Sequence, residues 1–351
     1  MRICVIASSR FPIAEPFAGG LEAWTHGLVS ELHRRGHEVT LFAGPGSDPA
    51  LPVTPLALPS FVSSTVAMSD VHAPPAQWMA DHHAYLDLML ELRDRSFDLV
   101  HNASLHHLPV AMAHSLGTPV VTTLHTPPVP WLESAVALSR GVGTFVAVSG
   151  ATARAWAHAV TASVIRNGVD VTAFVPGPGG GPAVWSGRLV PEKAPHLAID
   201  AARLAGVALV LAGPVTDVGY FDAQVRPRLG DGIEYAGHLT SSELVALVGG
   251  ASVAVVTPNW DEPYGLVAAE AMACGTPVAA FARGALPELF DSRVAELAPG
   301  GDVVALASAI QRAQRCDRAA VRAHAERHCS LTRMVSEYEQ LYAAAGQRRV
   351  A

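Results

Sequence analysis

At 351 residues, half of them hydrophobic and 16% charged, the chain is long enough for two globular domains with separate cores. Its formal net charge of −7 and the lack of any polybasic run exclude a general nucleic-acid binder, which needs a basic face. No uninterrupted apolar run reaches the ~20 residues that span a bilayer, which excludes an integral membrane protein and predicts a soluble, at most peripheral, one.

Short β-branched apolar runs alternate with amphipathic helical stretches along nearly the whole chain, the pattern of parallel βαβ units. Residues 1–9 are too short an apolar run for a signal peptide and read as the first strand, over 3–7. Leu21, Trp24, Leu28 and Leu32 then recur at helical spacing until Gly36 stops the helix. Further strands are expected over 38–43, 99–101, 120–124 and 145–148, with a helix over 82–95. Residues 174–182 concentrate proline and glycine without a hydrophobic period and read as an interdomain connection. A second α/β set follows, with strands over 183–187, 208–212, 233–235, 253–257 and 278–281 and helices over 194–204, 243–248, 266–273 and 303–313. Met334, Val335, Tyr338, Leu341 and Tyr342 make a last apolar helical stripe. The expected fold class is α/β, two Rossmann-like doubly wound domains facing across a cleft at the carboxyl ends of their strands, where ligands bind.

Chemistry-bearing residues collect at these strand ends. Gly19 and Gly20 open the first helix, where adjacent glycines let an anion or a hydroxyl approach the backbone closely. The pattern is not Gly-x-Gly-x-x-Gly and lacks the matching acidic residue after the second strand, so a nicotinamide dinucleotide is not expected. His125 follows the strand over 120–124, where it can bond a sugar hydroxyl or serve as a satisfied structural histidine. His101, His106 and His107 follow another strand end, and His82 and His83 lie in the expected helix. These clusters could suggest a metal, but no Asp-x-Asp, paired cysteine or His-Glu-x-x-His pattern accompanies them, and an acceptor-pocket lining is preferred. Cys4, Cys274, Cys316 and Cys329 have no paired spacing, as expected of reduced thiols in a cytosol.

In the second half, Gly187 and Arg188 end a strand, and Lys193 follows shortly after. A planar guanidinium fork and a compact ammonium together suit a diphosphate, although Arg188 could instead pair with Glu192. Glu262 and Glu270 bracket the start of the helix over 266–273, whose unpaired N–H groups at Gly265 to Val267 and positive dipole end form an anion site. One carboxylate could hold sugar hydroxyls on one side of a diphosphate while the other holds ribose hydroxyls. A lone glutamate pair is more simply the solvated acidic start of a helix; the nearby cations and glycines shift the balance toward a ligand.

In order, Gly19-Gly20-Leu21-Glu22, His125, Asn167-Gly168-Val169-Asp170, Gly187-Arg188 with Glu192-Lys193, Gly237-His238, and Glu262 to Glu270 followed by Cys274-Gly275-Thr276-Pro277-Val278 resemble a retaining glycosyltransferase of family 4, with the GT-B fold. The resemblance runs over most of the chain; only about residues 50–92 lack a pattern it places, and there the acceptor should be read. It implies that Glu262 holds the donor sugar and Glu270 the ribose. It also implies that Gly265 and Leu266, beside Tyr264, offer backbone to the distal phosphate, and that Arg188 and Lys193 neutralise the diphosphate. His125 would contact the sugar near the anomeric carbon, Gly19 and Gly20 would border the phosphate, and Gly237-His238 would lie near the base. Catalysis would rest on His125, Glu262, Arg188 and Lys193, with Glu22, His101, His106 and His107 on the acceptor side.

The same resemblance implies a first domain over 1–173, rejoined by a C-terminal helix over about 333–351, a linker over 174–182, and a donor-binding domain over 183–332. The expected ligands are a nucleoside-diphosphate sugar of UDP or GDP type and a small-molecule or glycan acceptor, with no cofactor and no metal. A cytoplasmic monomer or homodimer is expected. Two alternatives stay open: a nucleotide-sugar epimerase or hydrolase on the same fold, and a nucleotide-sugar-binding protein without catalysis.

Overall fold

A computed structural model describes residues 1–56 and 62–347. The first seven strands are β1 (Arg2–Ile6), β2 (Glu38–Ala43), β3 (Val53–Pro55), β4 (Leu99–Asn102), β5 (Val120–Leu124), β6 (Thr144–Ala147) and β7 (Ala162–Val164). They form one parallel sheet in the order β3-β2-β1-β4-β5-β6-β7. The other six are β8 (Ala183–Ser186), β9 (Leu209–Ala212), β10 (Ile233–Tyr235), β11 (Ala254–Val256), β12 (Val278–Phe281) and β13 (Ala295–Ala298). These make a second parallel sheet, β10-β9-β8-β11-β12-β13.

Both sheets reverse their winding once, between β1 and β4 and between β8 and β11. A crevice opens at such a reversal because the connecting segments depart to opposite faces of the sheet. The segments that leave β1 and β4 in one domain, and β8 and β11 in the other, carry most of the candidate site residues; His125 follows β5 and Gly237-His238 follow β10.

The central strands are apolar on both faces because both are covered. Helix α1 (Gly20–Arg34) covers one face of the first sheet through Trp24, Leu28, Val29 and Leu32, while α2 (Ala76–Glu91) covers the other through Tyr85, Leu88 and Met89. Two further helices of the first domain are α3 (Pro130–Leu138) and α4 (Gly150–Trp156). The second domain adds α5 (Pro195–Ala205), α6 (Ser241–Gly250), α7 (Leu266–Ala273), α8 (Val303–Ala313) and α9 (Arg318–His328). The last helix, α10 (Leu331–Gln347), returns to the first domain, where Met334, Val335, Tyr338 and Tyr342 join the core built on Trp24 and Leu28.

The expected elements of the parallel core all occur, within a residue or two at most boundaries. Three short strands, β3, β7 and β13, had no signal; β3 and β7 are three-residue edges, too short for a period of two to be read. Helix α2 starts at Ala76 rather than residue 82 because Pro75 supplies the entry, and it ends at Glu91. Helix α9 had no expectation either; it is capped by Asp317, whose side chain accepts the Ala319 N–H at 3.1 Å. The glycine-rich connection is not loose. Gly179 and Gly181 donate backbone N–H groups to Gly249 and Gly250 at 3.0 and 2.9 Å, and Arg322 donates to the Val171 and Phe174 carbonyls.

Candidate active site

The segment leaving β8 runs over the carboxyl end of its sheet through Gly187, Arg188 and Lys193. Glycine is required at the neighbouring strand end: Gly213 has φ +138°, and a Cβ there would stand 1.9 Å from the Gly187 carbonyl oxygen. Two backbones therefore touch where β8 and β9 end. Lys193 Nζ donates to Glu262 Oε2 at 2.6 Å and lies 5.2 Å from the centre of the Trp260 ring, whose Nε1–H donates to the same oxygen at 3.1 Å. Glu262 is 9% exposed, so this carboxylate is desolvated and held in one place by two donors. Arg188 extends beside it, with Nη2 3.7 Å from Glu192.

Helix α7 begins directly beyond Glu262. Gly265, at φ +95° and ψ 54°, is its N-cap, and a Cβ on it would press to 2.6 Å on Leu286 Cδ2. The Leu266 and Val267 N–H groups find no backbone partner among the described residues, so the positive end of α7 faces the cleft. Glu270, one turn further on, is half-buried and forms no ion pair among the described residues; burial raises its carboxyl to about 7. Tyr264 has its ring buried in the second domain's core, and its hydroxyl finds no partner among the described residues.

The first domain meets this helix start with its own. A Cβ on Gly20 would stand 2.9 Å from Leu266 Cδ1, so the N-termini of α1 and α7 abut across the cleft. A Cβ on Gly19 would lie 3.2 Å from Glu22 Oε2 and 3.9 Å from Arg188 Cδ. Glu22 is 5% exposed; burial raises its carboxyl, opposed by its own backbone N–H and by Arg188 and Arg10. His238 Nε2–H donates to the Phe17 carbonyl at 3.0 Å, Ser241 Oγ donates to Glu15 Oε1 at 2.6 Å, and the Gly150 N–H donates to Glu288 Oε2 at 2.9 Å. These contacts hold the domains face to face, with Gly237-His238 at the rim.

His125, just past β5, lies edge-on to Trp24 at 4.5 Å between ring centres. Its Nε2 is buried without a partner among the described residues, and burial lowers its pKa to about 3, so the ring is a neutral hydrogen-bonding group.

His101 is a correction. It is 0% exposed and cannot line an acceptor pocket: its Nδ1 shares a hydrogen bond with Tyr342 at 2.6 Å and its Nε2 one with Thr123 at 2.8 Å. It ties α10 to the first sheet. His106 and His107 are half-buried past the end of β4, with His82 near them. These three imidazoles are close enough to suggest a metal, with ligand atoms within 4.8 Å of one another. Their geometry opposes it. The His106 and His107 rings are stacked at 25° and 4.3 Å, whereas lone pairs converge on an ion only from rings that point edge-first at it. His106 Nδ1 also accepts the Leu108 N–H at 3.2 Å, which directs the ring's own proton to Nε2.

Gly213 and Trp260 had no sequence signal as site residues. A glycine at a strand end and a lone tryptophan become informative only when the neighbouring backbone and carboxylate are seen.

Residues 18–173 match the family model described as Glycosyltransferase Family 4, and residues 183–327 match Glycosyl transferases group 1. Among curated proteins, glycogen synthase of Mycobacterium tuberculosis is 30% identical, the alignment covering 89% of this chain and 85% of that one. D-inositol 3-phosphate glycosyltransferase of Mycolicibacterium smegmatis is 28% identical over 82% of this chain and 77% of its own. The solved structure of Anabaena HepE in complex with UDP and glucose superposes with a TM-score of 0.77 at 20% identity, covering 98% of this chain and 99% of that one.

Proposed function

The chain belongs to family 4 of the glycosyltransferases and has the GT-B fold, and from this we propose that it moves a sugar from a nucleoside-diphosphate sugar to an acceptor hydroxyl with retention at the anomeric carbon and without a metal. The observation that carries this reading is the meeting of Lys193 with Glu262, just before the start of α7, while Arg188 lies against Gly19 and Leu266 against Gly20 across the cleft. In this reading the diphosphate sits at the α7 N-terminus and the ribose hydroxyls donate to Glu270. The donor sugar lies toward Glu262 and His125, and the base lies by Gly237-His238. A UDP-type donor is favoured by the UDP complexes of HepE.

Departure of the nucleoside diphosphate concentrates negative charge on the distal phosphate. Arg188, Lys193 and the helix N–H groups are fixed before that charge develops, so they stabilise it without reorganising. Lys193 spends part of its attraction on Glu262, and a sugar hydroxyl donating to Glu262 would release it toward phosphate. Retention follows if the departing phosphate oxygen takes the acceptor proton on the face from which it leaves. The free thiols support a reducing, cytoplasmic setting, and no described helix is long and apolar enough to cross a membrane.

A thermal-shift panel of UDP-, GDP- and ADP-sugars tests the donor, since a bound ligand raises apparent stability with occupancy. The anomeric configuration of a product formed in EDTA tests retention and metal independence together. Rapid epimer formation or nucleotide release from donor alone would instead select the epimerase or hydrolase reading.

A further inference from the structure

The first turns of α2 lie at the carboxyl end of the first sheet, because a crossover helix starts where its sheet's strands end. Trp78, His82, His107, His106 and Tyr85 form one continuous stack there. Successive ring centres are 5.0, 5.3, 4.3 and 4.1 Å apart, each ring tilted by at most 25° from the next, and the chain of rings bends at His107, so that His82 and His106 are 5.9 Å apart and tilted by 50°. Tyr85 anchors the inner end: its hydroxyl donates to the Ala7 carbonyl at 2.8 Å and accepts the Ser9 N–H at 2.9 Å, both at the end of β1. The outer ring, Trp78, is 47% exposed. One carboxylate stands beside the column, with Asp81 Oδ1 3.1 Å from Gln77 Nε2 and 3.4 Å from Ser9 Oγ.

We propose that Trp78, with Asp81, Gln77 and Ser9 beside it, is the acceptor subsite of this transferase and takes an uncharged saccharide, the apolar face of a sugar ring lying on Trp78 and its hydroxyls on the three polar groups. The proposal rests on the transferase reading above. A pyranose presents axial C–H bonds on one face and hydroxyls around its rim. An aromatic face, negative at its centre, attracts those C–H groups, while a carboxylate, an amide and a hydroxyl take the rim. His82 stacks on the inner face of Trp78 and sets its plane, and burial lowers the basicity of His106 and His107 behind it. Asp81 is the carboxylate beside Trp78 and repels a phosphorylated or carboxylated acceptor. The site lies at the carboxyl end of β1, since Tyr85 bonds Ala7 and Ser9 there, and the segment that leaves that strand end leads to Gly19-Gly20.

Saturation-transfer NMR on the full chain loaded with UDP tests this with maltotriose, cellotriose and chitotriose against glucose 6-phosphate. The expected result is saturation of ring C–H protons in at least one neutral trisaccharide. Binding should weaken about tenfold in Trp78→Ala and be largely restored in Trp78→Phe, which keeps an aromatic face. Stronger saturation of glucose 6-phosphate, no saturation of any neutral trisaccharide, or a signal unchanged in Trp78→Ala would overturn the proposal. The thermal-shift panel of UDP-, GDP- and ADP-sugars reads the donor half separately. If the unsubstituted chain shifts with none of them, the transferase reading fails; a retained shift with a failed saccharide test removes only the acceptor subsite.

Discussion

Lys193 and Glu262 meet at 2.6 Å in a desolvated contact with Trp260 completing it, although sequence reasoning places one on the diphosphate and the other on the sugar. In the proposed reading the pair links the two halves of the donor. Replacing Glu262 by Gln removes the charge that holds the ammonium, so nucleoside diphosphate should bind at least as tightly while transfer falls about a hundredfold. Calorimetry with UDP and a transfer assay separate the two; unchanged transfer would refute the role given to Glu262.

Lys193→Ala should weaken UDP binding about tenfold and also cost about 1–3 kcal/mol of stability, because Glu262 is left buried with Trp260 as its remaining donor. The double substitution Lys193→Ala/Glu262→Gln should recover most of the stability and none of the transfer. Chemical denaturation checks the first expectation, and recovery of transfer would contradict the second.

Donor affinity should depend on pH through Glu270. With its carboxyl raised to about 7 by burial, the group is mostly protonated below that pH and poorly able to accept ribose hydroxyls. Binding of UDP-glucose should therefore weaken toward about tenfold per unit as pH falls below 7, and Glu270→Gln should flatten the profile. A flat profile in the unsubstituted chain would remove the ribose assignment.

Stability should show the opposite balance in acid. Glu270 alone favours the folded state as pH falls from 7 toward its unfolded value, since the folded form holds the proton more tightly. His101, His106 and His125, each lowered to about 3, act the other way: below about 6.5 the unfolded chain takes up protons that the folded chain refuses. These three large shifts outweigh the two raised carboxyls, Glu270 and Glu22, so the melting temperature should fall steadily between pH 6.5 and 4. A melting temperature constant over that range would contradict this.

Tyr342→Phe should destabilise the chain by about 1–3 kcal/mol by leaving the fully buried His101 Nδ1 without its partner, while activity per folded molecule stays unchanged. Gly213→Ala should cost more, because the added Cβ would meet the Gly187 carbonyl and not a side chain able to turn aside. Thermal unfolding orders the two, and a specific activity lost in Tyr342→Phe would return His101 to the site.

The two doubly wound domains, the last helix and the run from Glu262 to Glu270 were legible in the chain itself. Each is written in periodicity or in turn chemistry that acts over a few residues: the apolar runs of buried parallel strands, the Met334 to Tyr342 stripe, and the glycine that opens α7; that the last helix returns to the first domain came from the family resemblance. Relations between distant residues emerged only in the folded chain. His101 is a core histidine because Tyr342, 241 positions away, reaches it, and nothing near His101 in the chain announces that. His106 and His107 became rings of a stack only when α2 laid His82 and Tyr85 against them. Lys193 found Glu262 only when the segments leaving β8 and β11 converged at the sheet's reversal. Local patterns encode elements because backbone hydrogen bonding and side-chain periodicity are local, whereas a site is a meeting of strand ends whose order in space differs from their order in the chain.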